Sequence, residues 1–143
     1  SMDSHLNFDI ELAQKQTEEN PVFYLQYAHA RMCNILLHSV EKNIDSYEDA
    51  DLTLLNEPEI ISLLEIMIEF KEIMELCLST LEPMHLTNYL YRLATAFHKF
   101  YSVHRVVTDN IELSKARLQL IDAVKIILAN GLHILGIQAP EKM

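Results

Sequence analysis

Apolar residues recur every three or four positions along most of this chain, the spacing that places them on one face of an α-helix. The longest such stretch begins at Pro21, which suits the first turn of a helix because its missing N–H is not needed there. Residues at helical spacing then continue to about residue 42: Tyr24, Tyr27, Ala28, Arg31, Ile35 and Val40. We therefore predict a long central helix over residues 21–42.

The segments on either side of this helix are less regular. A short amphipathic helix is predicted over residues 8–18, where Phe8, Leu12 and Ala13 share a face. Asn20 should end it, because the residue before a proline is pushed out of the α region. Residues 43–56 are acidic and polar without a clear period, which indicates a solvated loop or a partial helix.

A third helix is predicted to begin after Asn56 and to run to about residue 81, before Pro83. Asn56 can cap it, while Pro58 and Glu59 suit its first turn, where a missing N–H costs little and negative charge meets the positive end of the dipole. Its acidic positions lie on a different face from its apolar ones and predict an ordinary water-facing stripe, not a catalytic pair: Glu65, Glu69, Glu72 and Glu75.

Two more helices are predicted over residues 85–107 and 111–130, with Gly131 as the C-cap of the second. No strand-rich section or internal repeat interrupts the pattern, and the chain contains only two glycines, too few for the turns of a many-stranded sheet. Four or five helices in sequence predict an all-α fold, an antiparallel helical bundle.

The helix predicted over residues 85–107 has two distinct faces. Its core face is formed by apolar residues and one histidine: Leu86, Leu90, Leu93, Phe97, Phe100 and His104. Beside it runs an aromatic and basic strip: Tyr101, Ala94, Arg105, His98 and Tyr91. Lys99 and Arg92 lie on another side of the helix. Such a strip suits stacking of an unpaired base and contact with phosphate, but half-buried packing tyrosines and solubilising cations would give the same pattern.

The formal net charge of −10 argues at first against nucleic-acid binding, because phosphate contacts require Lys and Arg. The charge is unevenly distributed, however. Residues 1–85 contain four Lys or Arg against seventeen Asp or Glu, whereas residues 86–143 contain seven against four. This asymmetry is compatible with a polyanion-binding face in the C-terminal half, and also with a chance split.

Signatures of catalysis are missing from the sequence. There is no glycine-rich phosphate loop, G-x-S-x-G elbow or H-E-x-x-H run. His29 and Cys33 could share a helix face without an evident third ligand, and Cys33 and Cys77 lack C-x-x-C partners, so we predict no metal site and reduced thiols. No apolar run is long enough for a membrane span and the first residues do not resemble a signal peptide, so we expect a soluble, cytoplasmic protein without membrane contact.

Three stretches in order resemble bacterial arginyl-tRNA synthetases. The first is NPVFYLQYAHAR at 20–31, and the second combines YLYRLA at 89–94 with FHKFY at 97–101. The third runs from RL at 117–118 through GL at 131–132 and LGI at 135–137 to APEKM at 139–143. The chain thus resembles the C-terminal, DALR-type anticodon-binding domain of that family, although DAVK at 122–125 matches only loosely the run that gives this domain type its name.

The resemblance implies a parent protein that is a class I aminoacyl-tRNA synthetase, an arginine-tRNA ligase that uses ATP with Mg. The family's two ATP-site signatures, of the HIGH and KMSKS type, do not occur in these residues. The chain itself is therefore expected to bind tRNA without catalytic residues or a cofactor of its own. The implied partners are tRNA(Arg) and the catalytic domain of the same protein; we expect a monomeric parent and weak self-association of this chain alone.

The same resemblance suggests a division of the chain. Ser1 and Met2 look like an expression scar, and residues 1–20 are interpreted as this scar and the junction from the catalytic domain. Residues 21–143 are interpreted as the helical anticodon-binding domain. The alternative is a helical protein-interaction module that uses the acidic half, and its binding should respond weakly to salt.

In the family, positions matching Tyr101, Arg105 and Met143 lie close to anticodon-loop bases, so these residues and their neighbours His98 and Lys99 are candidates for anticodon binding. Some relatives have an aromatic residue at the Arg105 position, so contact with phosphate is expected there in place of stacking. Met143 could pack on a base, or belong to a disordered tail. Further tRNA or interdomain contacts are expected in the first motif: Gln26, Tyr27, His29 and Arg31.

Overall fold

The computed structural model describes residues 10–14 and 19–143, and every regular element in those ranges is helical. The elements are α1 (Ile10–Gln14), α2 (Pro21–Glu41), a 3-10 helix (Leu52–Leu54), α3 (Pro58–Ile68), α4 (Phe70–Thr80), α5 (Met84–Val103) and α6 (Ile111–Ile134). The predicted all-α helical bundle is confirmed. The predicted junction over residues 1–20 and the predicted helix over residues 8–18 fall largely outside the described ranges.

The central element of the bundle is α5, which contacts α2, α3, α4 and α6. Its predicted core face is confirmed for five apolar residues, each at most 1% exposed: Leu86, Leu90, Leu93, Phe97 and Phe100. Burial of such side chains is the main favourable contribution to folding, so α5 determines where the other helices pack. None of the helices in the described ranges is both long and apolar enough to cross a membrane.

The third predicted helix is two helices, α3 and α4, which meet at Glu69. The N–H of Glu69 donates to the carbonyl oxygen of Ile66 at 3.2 Å, a tighter turn than that of an α-helix, and both halves contact α5. The predicted Asn56 cap is wrong, because Glu57 has the extended N-cap conformation (φ −70°, ψ 146°). The Glu57 side chain makes no capping hydrogen bond and binds Arg117 instead.

The end of α5 lies at Val103, earlier than the residue 107 predicted from the sequence. The N–H of His104 still donates to the carbonyl oxygen of Phe100 at 2.9 Å, but the backbone of His104 is extended (φ −118°, ψ 140°). Two predictions are therefore wrong: His104 is not on the core face of the helix, and Arg105 does not continue the helical strip. The chain turns Val106 into the core instead, at 3% exposure.

Gly136, not Gly131, terminates α6. Gly131 is buried inside the helix, where an added Cβ would lie 2.5 Å from Leu90 Cδ2, so this glycine permits close approach of α6 to α5. Gly136 takes the left-handed conformation (φ +71°) and donates its N–H to the carbonyl oxygen of His133 at 2.9 Å. The chain can then turn back toward α2.

Candidate nucleic-acid interface

An open cleft of about 1220 Å³ lies between α2, the end of α5 with the segment that follows it, and the C-terminal residues. Each of these three parts of the chain contributes predicted site residues to its lining: Tyr27, Arg31, Tyr101, Arg105 and Met143. Residues more than a hundred positions apart in sequence are thus brought to one surface by the packing of α2 against α5 and α6.

Arg31 joins the two tyrosines of the cleft. Its guanidinium carbon lies 4.7 Å from the ring centroid of Tyr101 and 5.8 Å from that of Tyr27. Its Nη1 donates to the Tyr27 hydroxyl oxygen at 2.6 Å. Burial disfavours the charge on Arg31, but the hydrogen bond and electrostatic attraction of Tyr27 and Tyr101 outweigh it and raise the Arg31 pKa. The cation is held as part of an aromatic platform.

Gln26 and His29 hold the C-terminal segment against α2. Gln26 Nε2 donates to the carbonyl oxygen of Gln138 at 2.9 Å, and His29 Nδ1 lies 2.8 Å from the carbonyl oxygen of Pro140. A carbonyl oxygen only accepts, so Nδ1 carries the proton in this contact. His29, which holds the C-terminal segment, is buried at 6% exposure, whereas Met143 at the end of that segment is 55% exposed and lines the cleft.

Arg105 is exposed at the cleft, and its backbone is held from behind by a buried arginine on α6. Arg117 Nη1 donates to the carbonyl oxygen of Arg105 at 2.6 Å, while Nη2 binds Glu57. Burial opposes ionisation of Glu57, but the hydrogen bonds from Arg117 and from the Glu57 backbone, together with the charge of Arg117, outweigh burial and lower the Glu57 pKa. The sequence reading missed Arg117, although it stands between Ser114 and Ile121 on the buried face of α6.

His98 and Lys99 occupy different surroundings. His98 belongs to an aromatic cluster, with ring centroids 5.2 Å from Tyr24 and 6.0 Å from Tyr27, and it lines a smaller pocket of about 500 Å³ beside the cleft. Lys99 is exposed and lies outside the lining of both cavities. The structure thus brings His98 next to Tyr27 and Tyr101 and leaves Lys99 on the outer surface.

Ion pairing divides the basic residues of the described ranges into two groups. Five bind carboxylates: Lys71, Arg92, Lys115, Arg117 and Lys125. The other five basic residues in the same ranges have no carboxylate in ion-pair contact. Arg31, Arg105 and Lys142 line the cleft, whereas Lys42 and Lys99 lie outside it. Glu41 and Glu141 also line the cleft, so the cleft is positive only near its three cations and not over its whole lining.

Histidine and cysteine approach each other at one place on α2. Cys33 Sγ lies 3.8 Å from His29 Nδ1, and both cysteines are free thiols. Burial raises the pKa of the Cys33 thiol. Among the residues that the structure describes, no group of three or more His, Cys, Asp or Glu side chains could hold a metal ion.

Comparison with known proteins gives concordant results. The family described as DALR anticodon binding domain matches residues 25–143. Over all 143 residues the chain is 50% identical to an arginine-tRNA ligase of Dehalococcoides mccartyi and 46% identical to one of Staphylococcus epidermidis, in each case over 26% of the relative's length. A crystal structure from Campylobacter jejuni, assigned as an arginyl t-RNA synthetase, matches the whole chain with a TM-score of 0.85 and 33% identity, over 31% of that chain. The chain thus spans about a quarter of the length of the curated relatives.

Proposed function

The chain belongs to the DALR anticodon binding domain family, and on that premise we propose that its cleft binds the anticodon loop of tRNA(Arg). The observation that carries the proposal is the meeting, at one open cleft, of a tyrosine platform and three cations without a carboxylate partner in the described ranges. Anticodon loops present unstacked bases between phosphates, and proteins read such loops by aromatic stacking and hold them by Lys and Arg.

Each lining residue has a role in this proposal. One base stacks on the platform that Tyr101 and Arg31 form, since guanidinium planes and aromatic rings both stack bases. Arg105 and Lys142 contact phosphates. Met143, exposed and flexible, packs against a base edge.

The remaining candidate residues act less directly. Tyr27 and His98 support the platform from the aromatic cluster. Gln26 and His29 hold the C-terminal segment in place. Lys99, outside the cleft, contacts a phosphate of the flanking stem.

We further propose that the whole protein is an arginine-tRNA ligase, as the names of its relatives suggest, and that it attaches arginine to tRNA(Arg) in the cytoplasm with ATP and Mg. No residue of this chain is given a catalytic role, which belongs to a catalytic domain in the same protein. That domain is also the proposed covering for exposed apolar side chains such as Ile68, Leu78 and Leu81.

A salt titration with two RNA hairpins tests the anticodon proposal. The chain is titrated with the anticodon stem-loop of tRNA(Arg) and with the same stem-loop carrying a different anticodon. We expect tighter binding of the first and a linear fall of the logarithm of the association constant with the logarithm of salt concentration. Equal binding of both hairpins would overturn anticodon reading by this chain. Binding that does not respond to salt would favour a protein-interaction module.

Sedimentation tests the proposed covering of the apolar surface. The isolated chain should show a weight-average mass that rises with concentration, because exposed apolar side chains associate weakly in water. A single monomeric species at high concentration would contradict this proposal, and the anticodon proposal would be unaffected. The whole protein should sediment as a monomer.

A further inference from the structure

Arg117 is a buried cation with no direct access to the cleft. It is 6% exposed and lies on α6 among apolar neighbours. A buried ion pair is weak evidence for stability, because replacing the pair by well-packed apolar side chains is often neutral or stabilising. The presence of a charged side chain here therefore calls for a reason other than packing.

The hydrogen bonds of Arg117 are divided between two acceptors. Nη2 binds one oxygen of Glu57, and Nη1 donates to the carbonyl oxygen of Arg105 at 2.6 Å. In the described ranges, Arg117 Nε and the second oxygen of Glu57 are buried without a partner. Arginine and carboxylate pair most strongly through two parallel hydrogen bonds. Arg117 thus makes one hydrogen bond to Glu57 in place of the stronger pair of parallel hydrogen bonds, and its other terminal nitrogen holds the backbone of Arg105.

The segment that contains Arg105 depends on such contacts. It leaves α5 in extended conformation, so its backbone has no helical hydrogen bonds beyond the N–H of His104. A second contact ties it to α3, where His104 Nε2 lies 3.0 Å from Glu59 Oε2. Residues 104–106 are therefore held by α3, by α6 and by the buried side chain of Val106, and the exposed residue Arg105 lines the open cleft.

We propose that Arg117 is a positioning residue: through the carbonyl oxygen of Arg105 it fixes the segment that presents the Arg105 side chain to an RNA phosphate. The proposal rests on the function proposed above for the cleft. In this proposal α6 contributes to RNA binding through Arg105 and does not contact the RNA at this position.

The first test does not involve RNA. Arg117→Lys retains a charge beside Glu57, but one ammonium group cannot reproduce the planar fork that reaches both acceptors. Trypsin cleavage after Arg105 should then rise by about tenfold, because loss of a hydrogen bond from a charged donor increases opening of the segment by about that factor. Arg92→Lys is the matched control, since Arg92 is ion-paired with Glu69 outside the cleft. In the Arg92→Lys variant, the rate of trypsin cleavage after Arg105 should equal that of the unmodified chain.

The second test measures coupling to RNA binding. If Arg117 acts through Arg105, then Arg117→Lys should weaken binding of the anticodon stem-loop, but should cause no further loss in an Arg105→Ala background. Equal losses in both backgrounds would show that Arg117 acts independently of Arg105 and would overturn the proposal. Far-ultraviolet circular dichroism of each variant monitors the fold.

The outcomes separate this proposal from the proposed function. An unchanged cleavage rate in a folded Arg117→Lys variant overturns the positioning role, whatever the RNA result. If the unmodified chain does not bind the stem-loop, the proposed function fails, and the cleavage rate alone then decides whether Arg117 holds the segment. Should Arg117→Lys not fold, Glu57→Gln replaces it: removal of the carboxylate charge that orients Arg117 should also raise cleavage, and an unchanged rate overturns the proposal.

Discussion

Tyr101 is fixed by its packing, which leaves part of its ring available to the cleft. Its ring stacks on that of Phe97, one helical turn earlier, with centroids 5.9 Å apart, and Phe97 is wholly buried. Arg31 lies over the same ring. A rigid aromatic side chain loses little conformational entropy when a ligand stacks on it. The platform is therefore already formed in the free chain.

Replacement of Tyr101 should weaken RNA binding without unfolding the chain. We expect Tyr101→Ala to cost about 1–3 kcal/mol of binding free energy for the anticodon stem-loop, the usual loss for one stacked base. Fluorescence anisotropy titration measures this change. Tyr91→Ala is a suitable control, because Tyr91 is half exposed on α5, outside the cleft lining. Equal losses for both variants would assign Tyr101 to packing alone.

Arg105 should contribute to the salt dependence of binding more than to base selection. Arg105→Ala should reduce the slope of log association constant against log salt by about 0.7, the value for one phosphate contact of a single strand. Its preference between hairpins with different anticodons should not change. The titration is repeated with Arg92→Ala, whose side chain is paired with Glu69. An unchanged slope for Arg105→Ala would exclude a phosphate contact.

At the scale of elements, sequence periodicity predicted the helices well, because apolar spacing alone determines which residues can share a buried face. Helix ends were predicted less well. At these ends Glu69 binds Arg92 and His104 binds Glu59, contacts with distant residues that no local pattern records. The cleft residues were indicated by family resemblance. The roles of Gln26 and His29 required the path of the C-terminal segment, and Arg117 required the position of Glu57.

The close approach of α5 and α6 makes a prediction about Gly131. An alanine Cβ there would lie within 3.0 Å of both Leu90 methyl carbons, so Gly131→Ala should destabilise the fold by about 1–3 kcal/mol, the usual cost of overpacking. In a Leu90→Ala background the same change should be stabilising, because the clash is absent and alanine favours helix by about 1 kcal/mol. Urea unfolding of the four chains measures both effects. Destabilisation of similar size in both backgrounds would contradict the steric explanation.

For the whole molecule, the distribution of charge in space differs from its distribution along the sequence. Most cations of α6 bind carboxylates from elsewhere in the chain, as Lys115 binds Asp49 and Arg117 binds Glu57. The positive balance of residues 86–143 is therefore largely neutralised inside the fold. The three cations that line the cleft, unpaired with any carboxylate in the described ranges, come from α2, the segment after α5 and the C-terminal residues, so the sequence balance indicated a positive surface but not its location.

The same ion pairs make a prediction about acid stability. The pKa of Glu57 is lowered from its ordinary 4.5, because hydrogen bonds and the charge of Arg117 together outweigh burial, and a hydrogen bond from His104 lowers the pKa of Glu59. A carboxyl group whose folded pKa is depressed stabilises the fold above its unfolded pKa, and this contribution is lost as the pH falls through the folded value. In thermal unfolding experiments, Tm should decrease as the pH is lowered below about 4.5, and this decrease should be smaller in Glu57→Gln. Equally steep falls would contradict the assignment.

The anchoring of the C-terminal segment on α2 also affects the order in which the molecule can be completed. The hydrogen bonds of Gln26 and His29 join residues 112 and 111 positions apart. During synthesis α2 is made before residues 138–143, so the third wall of the cleft can form only after those residues have been added. The helices can therefore pack around α5 before the complete cleft exists.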